Sequence, residues 1–420
     1  MSYYDPRQFP AAQAVRSPYG TPSHPLTPRR RARRIGLLPM ILVPTLGIGV
    51  AAVLGEHVIA PDPDITLQSG IGFATHDGTD LVLVPYDRHG NAGLIDSIAG
   101  DMFQVRIAAV ELDTGDLRWD VQLSDELIWD AAVVAAGETY AYLATDDGLT
   151  VLELDDGTIA VEPGALPGLQ GTQSVSGAAY AFDPTIGAVV ALDVNGAIHT
   201  IALDALEAVP ADESTAATWS GLLLAEGRVP DIGGLTCTDA PLDEDRTLRI
   251  EPVADGALGG TPVIVGPDGR HALGTRIYYE AGIVLDQTAL VSTTSVEIDV
   301  DRLIEEFMED AESAGMSLFP SLDATAAGAH SGLALIEHRP EPNGDGYALH
   351  VIDLDTGQVT ASLTTGNHLG RAATAPGGHV VVLAAAPDGP WLSDLVIVAP
   401  DGSIDRVEIG ETDFLGNPSL

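Results

Sequence analysis

The stretch that decides the fold is residues 109–119, which read AVELDTGDLRW. An apolar run leads into an Asp-Thr-Gly turn, and a second run that ends in tryptophan leaves it. Similar stretches occur at 151–159 (VLELDDGTI) and 351–359 (VIDLDTGQV), and looser copies at 190–198 (VALDVNGAI) and 396–404 (VIVAPDGSI). Two such runs joined by a tight glycine turn predict a β-hairpin, so each copy marks a pair of antiparallel strands.

The spacing of these turns predicts a repeat architecture. The turn glycines are Gly115, Gly157, Gly196, Gly357 and Gly402. Their separations are 42, 39, 161 and 45 residues, and 161 is about four times 40. A period near 40 to 45 residues with several strands per unit is typical of β-propeller blades. Residues 65–420 number 356, which predicts an all-β propeller of about seven four-stranded blades, with eight compact ones as the alternative.

The first of these stretches resembles the repeat of pyrroloquinoline-quinone-type β-propellers, which runs Ala-x-Asp-x-x-Thr-Gly-x-x-x-Trp. Ala109, Thr114, Gly115 and Trp119 match that pattern, and Glu111 stands where the repeat has Asp. The resemblance implies that Trp119 docks between adjacent blades and that Thr114 and Gly115 form the turn between outer strands.

Two further copies match this pattern in part. The copy at 351–361 keeps the Asp, Thr and Gly positions but has Ala361 in place of the tryptophan, and the copy at 151–161 has Val161 there. Quinone-dependent enzymes of this family hold their cofactor with Ca²⁺, an acidic base and, commonly, a vicinal cysteine pair. This chain has a single cysteine, Cys237, so that pair is absent. We therefore expect the resemblance to concern architecture, with no quinone cofactor.

Other signatures of catalytic or metal chemistry are also missing from the sequence. The eleven histidines show no HxH or HExxH spacing, and His330, His338 and His350 form the densest group, with gaps of eight and twelve. The acid-rich stretch 239–245 lacks the ligand alternation and glycine of an EF-hand, which favours a solvated loop. No P-loop and no GxSxG nucleophile turn is present. We predict no catalytic, cofactor-binding or metal-binding residues.

The amino-terminal part predicts a single membrane span. Residues 1–34 carry seven arginines and one acid and are too polar and proline-rich to fold, which indicates a disordered basic tail. Residues 35–55 are 21 uncharged, mostly apolar residues, which as a helix span about 30 Å, the thickness of the hydrocarbon core. The basic cluster 29–34 abuts this span, so the positive-inside rule places the N-terminus in the cytoplasm. A linker at 56–64 then leads to the propeller at 65–420, outside the cell membrane.

A cleaved signal peptide is the competing interpretation of the same segment. Val58, Ile59 and Ala60 resemble a cleavage site, but Pro61 follows directly, which disfavours processing. The apolar run is also longer than the roughly 7 to 15 residues usual in signal peptides.

The charge of the chain excludes one class of partner. The net charge is −42, and because the tail carries +6, the remainder carries −48, with arginine as its only basic residue besides histidine. A domain this acidic repels phosphate backbones, so nucleic-acid binding is not expected. Cations and basic partners are attracted to it.

One segment breaks the β pattern. At 301–314, Leu303, Ile304 and Phe307 fall on one helical face and Glu305, Glu306 and Glu309 on the other. This predicts an amphipathic helix inserted between blades, either packed on the propeller or docking a partner.

Together these features favour a binding or scaffolding module of the cell envelope over an enzyme. The partner would be another envelope protein or a small envelope ligand, met at the rim or central channel. The alternative is an envelope enzyme, a hydrolase or oxidoreductase, with an acidic site in the central channel. Signalling from outside to the basic tail is a third hypothesis.

Overall fold

The computed structural model describes residues 63–90, 103–127, 129–223, 236–254, 257–287, 325–344, 346–387, 389 and 391–410. All of them belong to one compact unit, Leu54–Leu420. The predicted tail 1–34, the apolar span 35–55 and the inserted helix 301–314 lie outside the described residues and stay predictions. Among the helices that are described, none is long and apolar enough to cross a membrane.

The all-β class is confirmed for the described ranges, which contain 26 strands and one α-helix. That helix, α1 (Glu213–Trp219), was not predicted. Asp212 caps its start by accepting hydrogen bonds from the backbone N–H groups of Ser214 and Thr215. At its end, Trp219 is buried and its Nε1 donates to Asp183 Oδ2 over 2.8 Å, which fastens the helix to the sheet beneath.

Four sheets are antiparallel meanders whose strands follow one another in the chain. In the first meander, β1 (Asp64–Leu67) and β2 (Gly72–His76) lie end to end along β3 (Thr79–His89), which is followed by β4 (Phe103–Glu111) and β5 (Leu117–Ser124). The second contains β6 (Ala131–Ala136), β7 (Tyr140–Thr145), β8 (Gly148–Glu153) and β9 (Ile159–Val161). The third contains β10 (Tyr180–Asp183), β11 (Ala188–Leu192), β12 (Ile198–Ala202) and β13 (Val209–Pro210). The sixth contains β23 (Arg371–Thr374), β24 (Val380–Ala385), β25 (Leu392–Val398) and β26 (Ile404–Glu408).

The remaining sheet joins two meanders into nine strands. The fourth meander contains β15 (Asp239–Pro241), β16 (Thr247–Pro252), β17 (Gly259–Gly266) and β18 (Gly269–Ala272). The fifth contains β19 (Tyr278–Val284), β20 (Leu333–Arg339), β21 (Tyr347–Asp353) and β22 (Val359–Thr365), with the short β14 (Thr236–Cys237) on the edge of β19. The two halves meet where Gly259 and Gly260 pair with Tyr279 and Tyr278.

Each of the six meanders carries one repeated glycine turn. Five are the turns predicted from the sequence, and the sixth, at Gly269 between β17 and β18, was missed. Its surroundings, 263–270 (VIVGPDGR), nevertheless match 396–403 (VIVAPDGS) closely. All six turn glycines have positive φ, between 67° and 104°, a region that residues with a Cβ rarely enter.

The predicted number of about seven blades is not confirmed: the described residues hold six meanders. The 161 residues between Gly196 and Gly357 contain one further turn, 73 residues after the first glycine and 88 before the second. Extra chain lengthens both intervals, through α1 in the first and residues 288–324, between β19 and β20, in the second. Turn spacing alone does not distinguish an insertion from an additional blade.

Apolar clusters show which of the meanders stack face to face. Continuous apolar clusters join the first to the second, the second to the third, the fourth to the fifth and the fifth to the sixth. Another cluster joins the last meander to the first, with Val82 and Ala108 on one side and Leu383 and Ile397 on the other. Four-stranded antiparallel sheets stacked in this way, the last on the first, are the arrangement of a β-propeller.

Trp119 occupies the contact between the first two meanders, as the sequence implied. Its side chain is 6% exposed, and its Nε1 donates to the Leu154 carbonyl of the second meander over 2.8 Å. The ring lies on the turn at Gly157, where an added Cβ would stand 2.7 Å from Trp119 Cε3. Only glycine permits this approach, because any side chain at that turn would overlap the indole.

The same contact recurs without tryptophan between other meanders. The turn at Gly402 in the sixth meander lies against Thr360 of the fifth, and Thr360 Oγ1 donates to the Gly402 carbonyl over 3.0 Å. The turn at Gly115 in the first meander lies against Val407 of the sixth. A repeated turn is therefore also a repeated packing unit, and nothing in it is specific to quinone-binding propellers.

Candidate functional site

A cleft of about 390 Å³ lies between the first and second meanders. Strands alternate in direction, so connections between meanders and the turns between their second and third strands share one end of the sheets. In five of the six meanders the repeated glycine turn joins the last two strands and lies at the other end; in the third meander the turn at Gly196 joins β11 to β12, the second and third strands. The residues lining the cleft come mainly from the former end and are Leu123, Trp129, Asp147, Thr150, Ile159, Glu162 and Pro163.

The connection that carries Trp129 is held in place by Gln68. The Gln68 side chain donates from Nε2 to the Trp129 carbonyl over 3.0 Å and accepts from the Ala131 N–H over 2.9 Å. Trp129 is 4% exposed, and its Nε1 donates to Asp147 Oδ2 over 3.1 Å. The buried indole thereby orients an exposed carboxylate at the cleft.

Thr150 adds a polar group with no hydrogen-bond partner within the described part of the chain. It lies at the start of the buried strand β8, is 3% exposed, and its Oγ1 is unpaired there. An unpaired buried hydroxyl costs about 1 to 3 kcal/mol, so such groups are uncommon unless something else supplies the partner. A ligand in the cleft is one source of that partner.

The lining of the cleft is acidic and amphipathic. Asp147 and Glu162 are exposed carboxylates, and the lining includes no arginine or histidine. Leu123, Ile159 and Pro163 supply apolar wall. This combination suits a cationic head on an aliphatic stem, because the stem contacts the apolar wall while the head stays near the carboxylates.

Asp87 lies next to this connection and is perturbed by burial. Burial raises the pKa of this carboxyl, and the nearby charge of Asp130 adds to the rise. The hydrogen bond from Gln68 Nε2 (2.9 Å) and the nearby His89 oppose it. Within the described ranges it is the carboxyl whose pKa is clearly raised.

A second constellation lies between the fifth and sixth meanders. Glu337, at 3% exposure on β20, accepts from His368 Nδ1 over 3.0 Å and from the Leu369 N–H over 2.8 Å. The His368 side chain is 60% exposed. A buried carboxylate that holds one ring nitrogen of an exposed histidine is the orienting half of a general-base dyad.

Aromatic and cationic groups continue this constellation along the sheet. The ring of Tyr347 packs on His368 with centroids 4.0 Å apart, and the guanidinium carbon of Arg339 lies 4.7 Å from the Tyr347 centroid. Arg339 also pairs with Glu280, N···O 2.6 Å, a residue with a positive φ of 45°. Backbone strain at a residue other than glycine is frequent at functional sites.

The three histidines that lie closest together in the sequence are not all neighbours in the structure. His338 and His350 are buried with ring centroids 4.3 Å apart, whereas His330 is exposed on the short turn Ala329–Ser331. The gap of twelve residues is bridged by antiparallel pairing of β20 and β21, which places both side chains on one face.

Cys237 and the acidic residues of 239–245 make contacts within the fold. Cys237 is half-buried, its Sγ lies 2.9 Å from the Asp239 carbonyl, and burial raises the pKa of the thiol to about 11. In the acid-rich stretch 239–245, Asp243 pairs with Arg246 and Asp239 with Arg249. Across the described ranges, no group of three or more His, Cys, Asp or Glu side chains is placed to hold a metal ion.

Sequence reasoning missed both the cleft and the pair formed by Glu337 and His368. The members of each come from different strands and connections, and no local motif links them. Two weak signals were available: Trp129 in the short connection between β5 and β6, and Glu337 directly after the apolar run 333–336.

Comparisons with known proteins identify no family. No family model matches the chain, and no curated protein matches it. Among solved structures, the AtxE2 isopeptidase is similar with a TM-score of 0.39 and 8% identity over 86% of this chain and 55% of that one. The chain therefore spans about half the length of that isopeptidase.

Two further solved structures are similar at lower scores. The β-propeller domain of the Trilobed protease from Pyrococcus furiosus has a TM-score of 0.29 and 9% identity, over 82% of this chain and 99% of that one. A puromycin-hydrolyzing peptidase from Mycobacterium tuberculosis has a TM-score of 0.28 and 15% identity, over 81% and 52%. At these scores the similarities add no argument to the architecture seen in the sheets.

Proposed function

We propose that this protein is a membrane-anchored, extracytoplasmic propeller of six blades that binds a partner polypeptide of the envelope. The apolar run at 35–55, the basic tail before it and the −48 charge after it support the topology. Six stacked meanders, one per repeated turn, support the blade number. The proposal rests on the cleft between the first and second meanders. The group that occupies this cleft is a lysine or arginine side chain of the partner.

Chemical complementarity supports a basic side chain as the occupant. The carboxylates of Asp147 and Glu162 meet its charge, the apolar wall meets its methylene groups, and Thr150 Oγ1 gains a hydrogen-bond partner. The high negative charge of the protein adds long-range attraction, which accelerates the encounter with a basic partner and weakens as salt screens it.

Calorimetric titration of the full-length protein with the peptide acetyl-Gly-Arg-Gly-amide tests this proposal. The matched neutral probe replaces arginine with citrulline. We expect the arginine peptide to bind, and the citrulline peptide to bind more weakly by up to about five-fold for each carboxylate that pairs with arginine, because an exposed ion pair contributes up to about 1 kcal/mol. Raising the salt concentration from 0.05 to 0.5 M is expected to weaken only the arginine peptide.

Substitutions locate the binding at the cleft. Asp147→Asn and Glu162→Gln are each expected to weaken arginine-peptide binding about two- to five-fold. Asp405→Asn, an exposed acid on β26 in the sixth meander, is the control and is expected to leave binding unchanged. Equal affinity for the two peptides, or equal effects of Asp147→Asn and Asp405→Asn, would rule out the cleft as a cation site.

A hydrolase is the second candidate function, and it rests on Glu337 and His368. In that reaction His368 Nε2 takes a proton from water as the water oxygen adds to an acyl carbon. The same nitrogen then returns the proton to the departing alcohol. Glu337 fixes the ring and stabilises its protonated form.

Hydrolysis of p-nitrophenyl acetate by the full-length protein measures this activity. If the dyad is active, His368→Gln is expected to lower the hydrolysis rate, measured after subtraction of the buffer rate, at least about ten-fold. Glu337→Gln is expected to lower the same rate. His330→Gln, an exposed histidine on a turn, is the matched control and is expected to leave the rate unchanged. A rate that His368→Gln and His330→Gln reduce equally would mean that exposed histidines act without a site.

A further inference from the structure

Two buried histidines meet at the joint between the fourth and fifth meanders. His338 on β20 is 6% exposed and His350 on β21 is 4% exposed. Their ring centroids lie 4.3 Å apart with the rings at 68°, and both rings pack edgewise on Tyr278, at 4.9 and 5.5 Å. Tyr278 itself pairs with Gly260 of β17, where the two meanders join into one sheet.

The two imidazoles are short of hydrogen-bond partners. His338 Nδ1 lies 2.8 Å from the Arg339 carbonyl, which fixes the proton on that nitrogen when the ring is neutral. His338 Nε2 and His350 Nδ1 are buried and have no partner within the described ranges. No carboxylate touches either of these nitrogens, so a proton added to one of them has no counter-charge in contact.

The charged and titratable groups around the pair favour its neutral form. Arg276, in the connection before β19, places a positive charge close to both rings, and Glu337 on β20 is the opposing negative group. Tyr278 faces the rings from β19, and the fourth meander adds apolar side chains such as Ile250 to the cluster that holds Tyr278. Protonation of either buried histidine places a cation against the neighbouring ring and near Arg276, where little solvent reaches it.

We propose that His338 and His350 form an acid-sensitive joint between the fourth and fifth meanders, closed while both rings are neutral and opened when either gains a proton. Opening exposes the rings to water, where the cation is solvated. It loosens the packing of β19 to β21 on the fourth meander near the place where Gly259 and Gly260 pair with β19. The device belongs to the fold and does not depend on the ligand of the cleft.

The direction of the pH effect follows from proton binding. Burial lowers the pKa of His350 to about 4, with the positive fields of His338 and Arg276 adding to it. Burial also lowers the pKa of His338, and the positive charge of Arg276 lowers it further. The Arg339 carbonyl and Glu337 oppose this change. The closed state thus binds fewer protons than the open state, in which the pKa is near 6.5. Stability from the joint is complete above pH about 6.5 and is lost as pH falls from there toward about 4.

Hydrogen exchange of the full-length protein at pH 7.5 and 5.0 tests the joint, with rates corrected for the intrinsic pH dependence of exchange. We expect the opening equilibrium for backbone amides of β19 to β21 to rise about ten-fold or more at pH 5.0. Amides of β7 and β8, in the second meander, serve as the internal reference and are expected to change less.

Variants separate the joint from general acid sensitivity. His338→Phe with His350→Phe keeps aromatic packing and removes the titrating groups, so the extra opening at pH 5.0 is expected to vanish. His271→Gln, an exposed histidine on β18, is the control and is expected to behave like the natural protein. Equal acid-induced opening in the natural protein and the double variant would overturn the proposal.

A measurement on the natural protein covers the case in which the double variant does not fold. Histidine labelled with ¹³C at Cε1 reports each ring by nuclear magnetic resonance, and single His338→Gln and His350→Gln variants assign the two signals. Both are expected to stay neutral at pH 6. Titration of either signal near pH 6.5, the ordinary value for histidine, would equally reject the joint.

Discussion

Replacing Trp119 with alanine is expected to lower the free energy of unfolding by about 3 to 5 kcal/mol, because it empties the contact between the first two meanders. The lost groups are a side chain that is 6% exposed and its hydrogen bond to the Leu154 carbonyl. The turn at Gly157 is left facing a void that its backbone cannot fill. Urea unfolding followed by circular dichroism measures the change.

Trp391→Ala is the matched control, since Trp391 is 64% exposed. We expect it to change stability by no more than about 0.5 kcal/mol. Trp119→Phe is expected to fall between the two, since it keeps most of the packing but loses the N–H donor to Leu154. Similar losses for Trp119→Ala and Trp391→Ala would show that the tryptophan contact does not hold the two meanders together.

Replacing Arg106 with methionine is expected to cost about 3 to 5 kcal/mol, because it leaves a buried carboxylate without its cation. Arg106 Nε donates to Asp120 Oδ1 over 2.9 Å and to Tyr86 Oη over 3.1 Å, and Tyr86 Oη donates to Asp120 Oδ2 over 2.6 Å. The side chains of Arg106 and Asp120 are 12% and 2% exposed. Methionine fills much of the space but donates no hydrogen bond to Asp120 Oδ1 or Tyr86 Oη.

Arg249→Met tests whether burial is the cause. Arg249 pairs with Asp239, but both side chains are about half exposed, at 49% and 50%. Water replaces a lost partner there, so the expected cost is below about 1 kcal/mol. Urea unfolding of the two variants in the same buffer gives the comparison, and equal costs would contradict the argument. The double variant Arg106→Met with Asp120→Asn is expected to recover part of the loss, because it removes the unpaired charge.

The repeated turns show how far local sequence determines this fold. The Asp-Thr-Gly and Asp-Asp-Gly turns at Gly115, Gly157 and Gly357 predict hairpins, and each hairpin is present. Such turns depend on a few adjacent residues, above all on a glycine that enters positive φ. The contact of Trp119 between meanders was instead implied by the resemblance to the propeller repeat, in which the tryptophan follows the turn glycine by four residues.

The number of meanders was harder to predict, because the distance in sequence between two turns gives the length of the chain between them but not how that chain folds. Gly269 was missed since its strand β18 is short and exposed and its neighbours lie at irregular distances. The 37 residues of the segment 288–324, between β19 and β20, stretched one interval to twice the period. An insertion within a blade and an extra blade give the same separation of turns.

What the amino-acid sequence determined by itself is the β-rich class, the hairpins, the repeat and the acidic charge; the membrane anchor and the location of the domain outside it stay predictions. These follow from properties of neighbouring residues: alternation, turn glycines, apolar length and charge. Only the tertiary structure brought Glu337 to His368, Trp129 to Asp147 and Thr150, and His338 to His350 against Tyr278. Each of these groupings joins different strands or connections, and its chemistry depends on burial. Burial is set by the stacking of whole meanders, which no local pattern specifies.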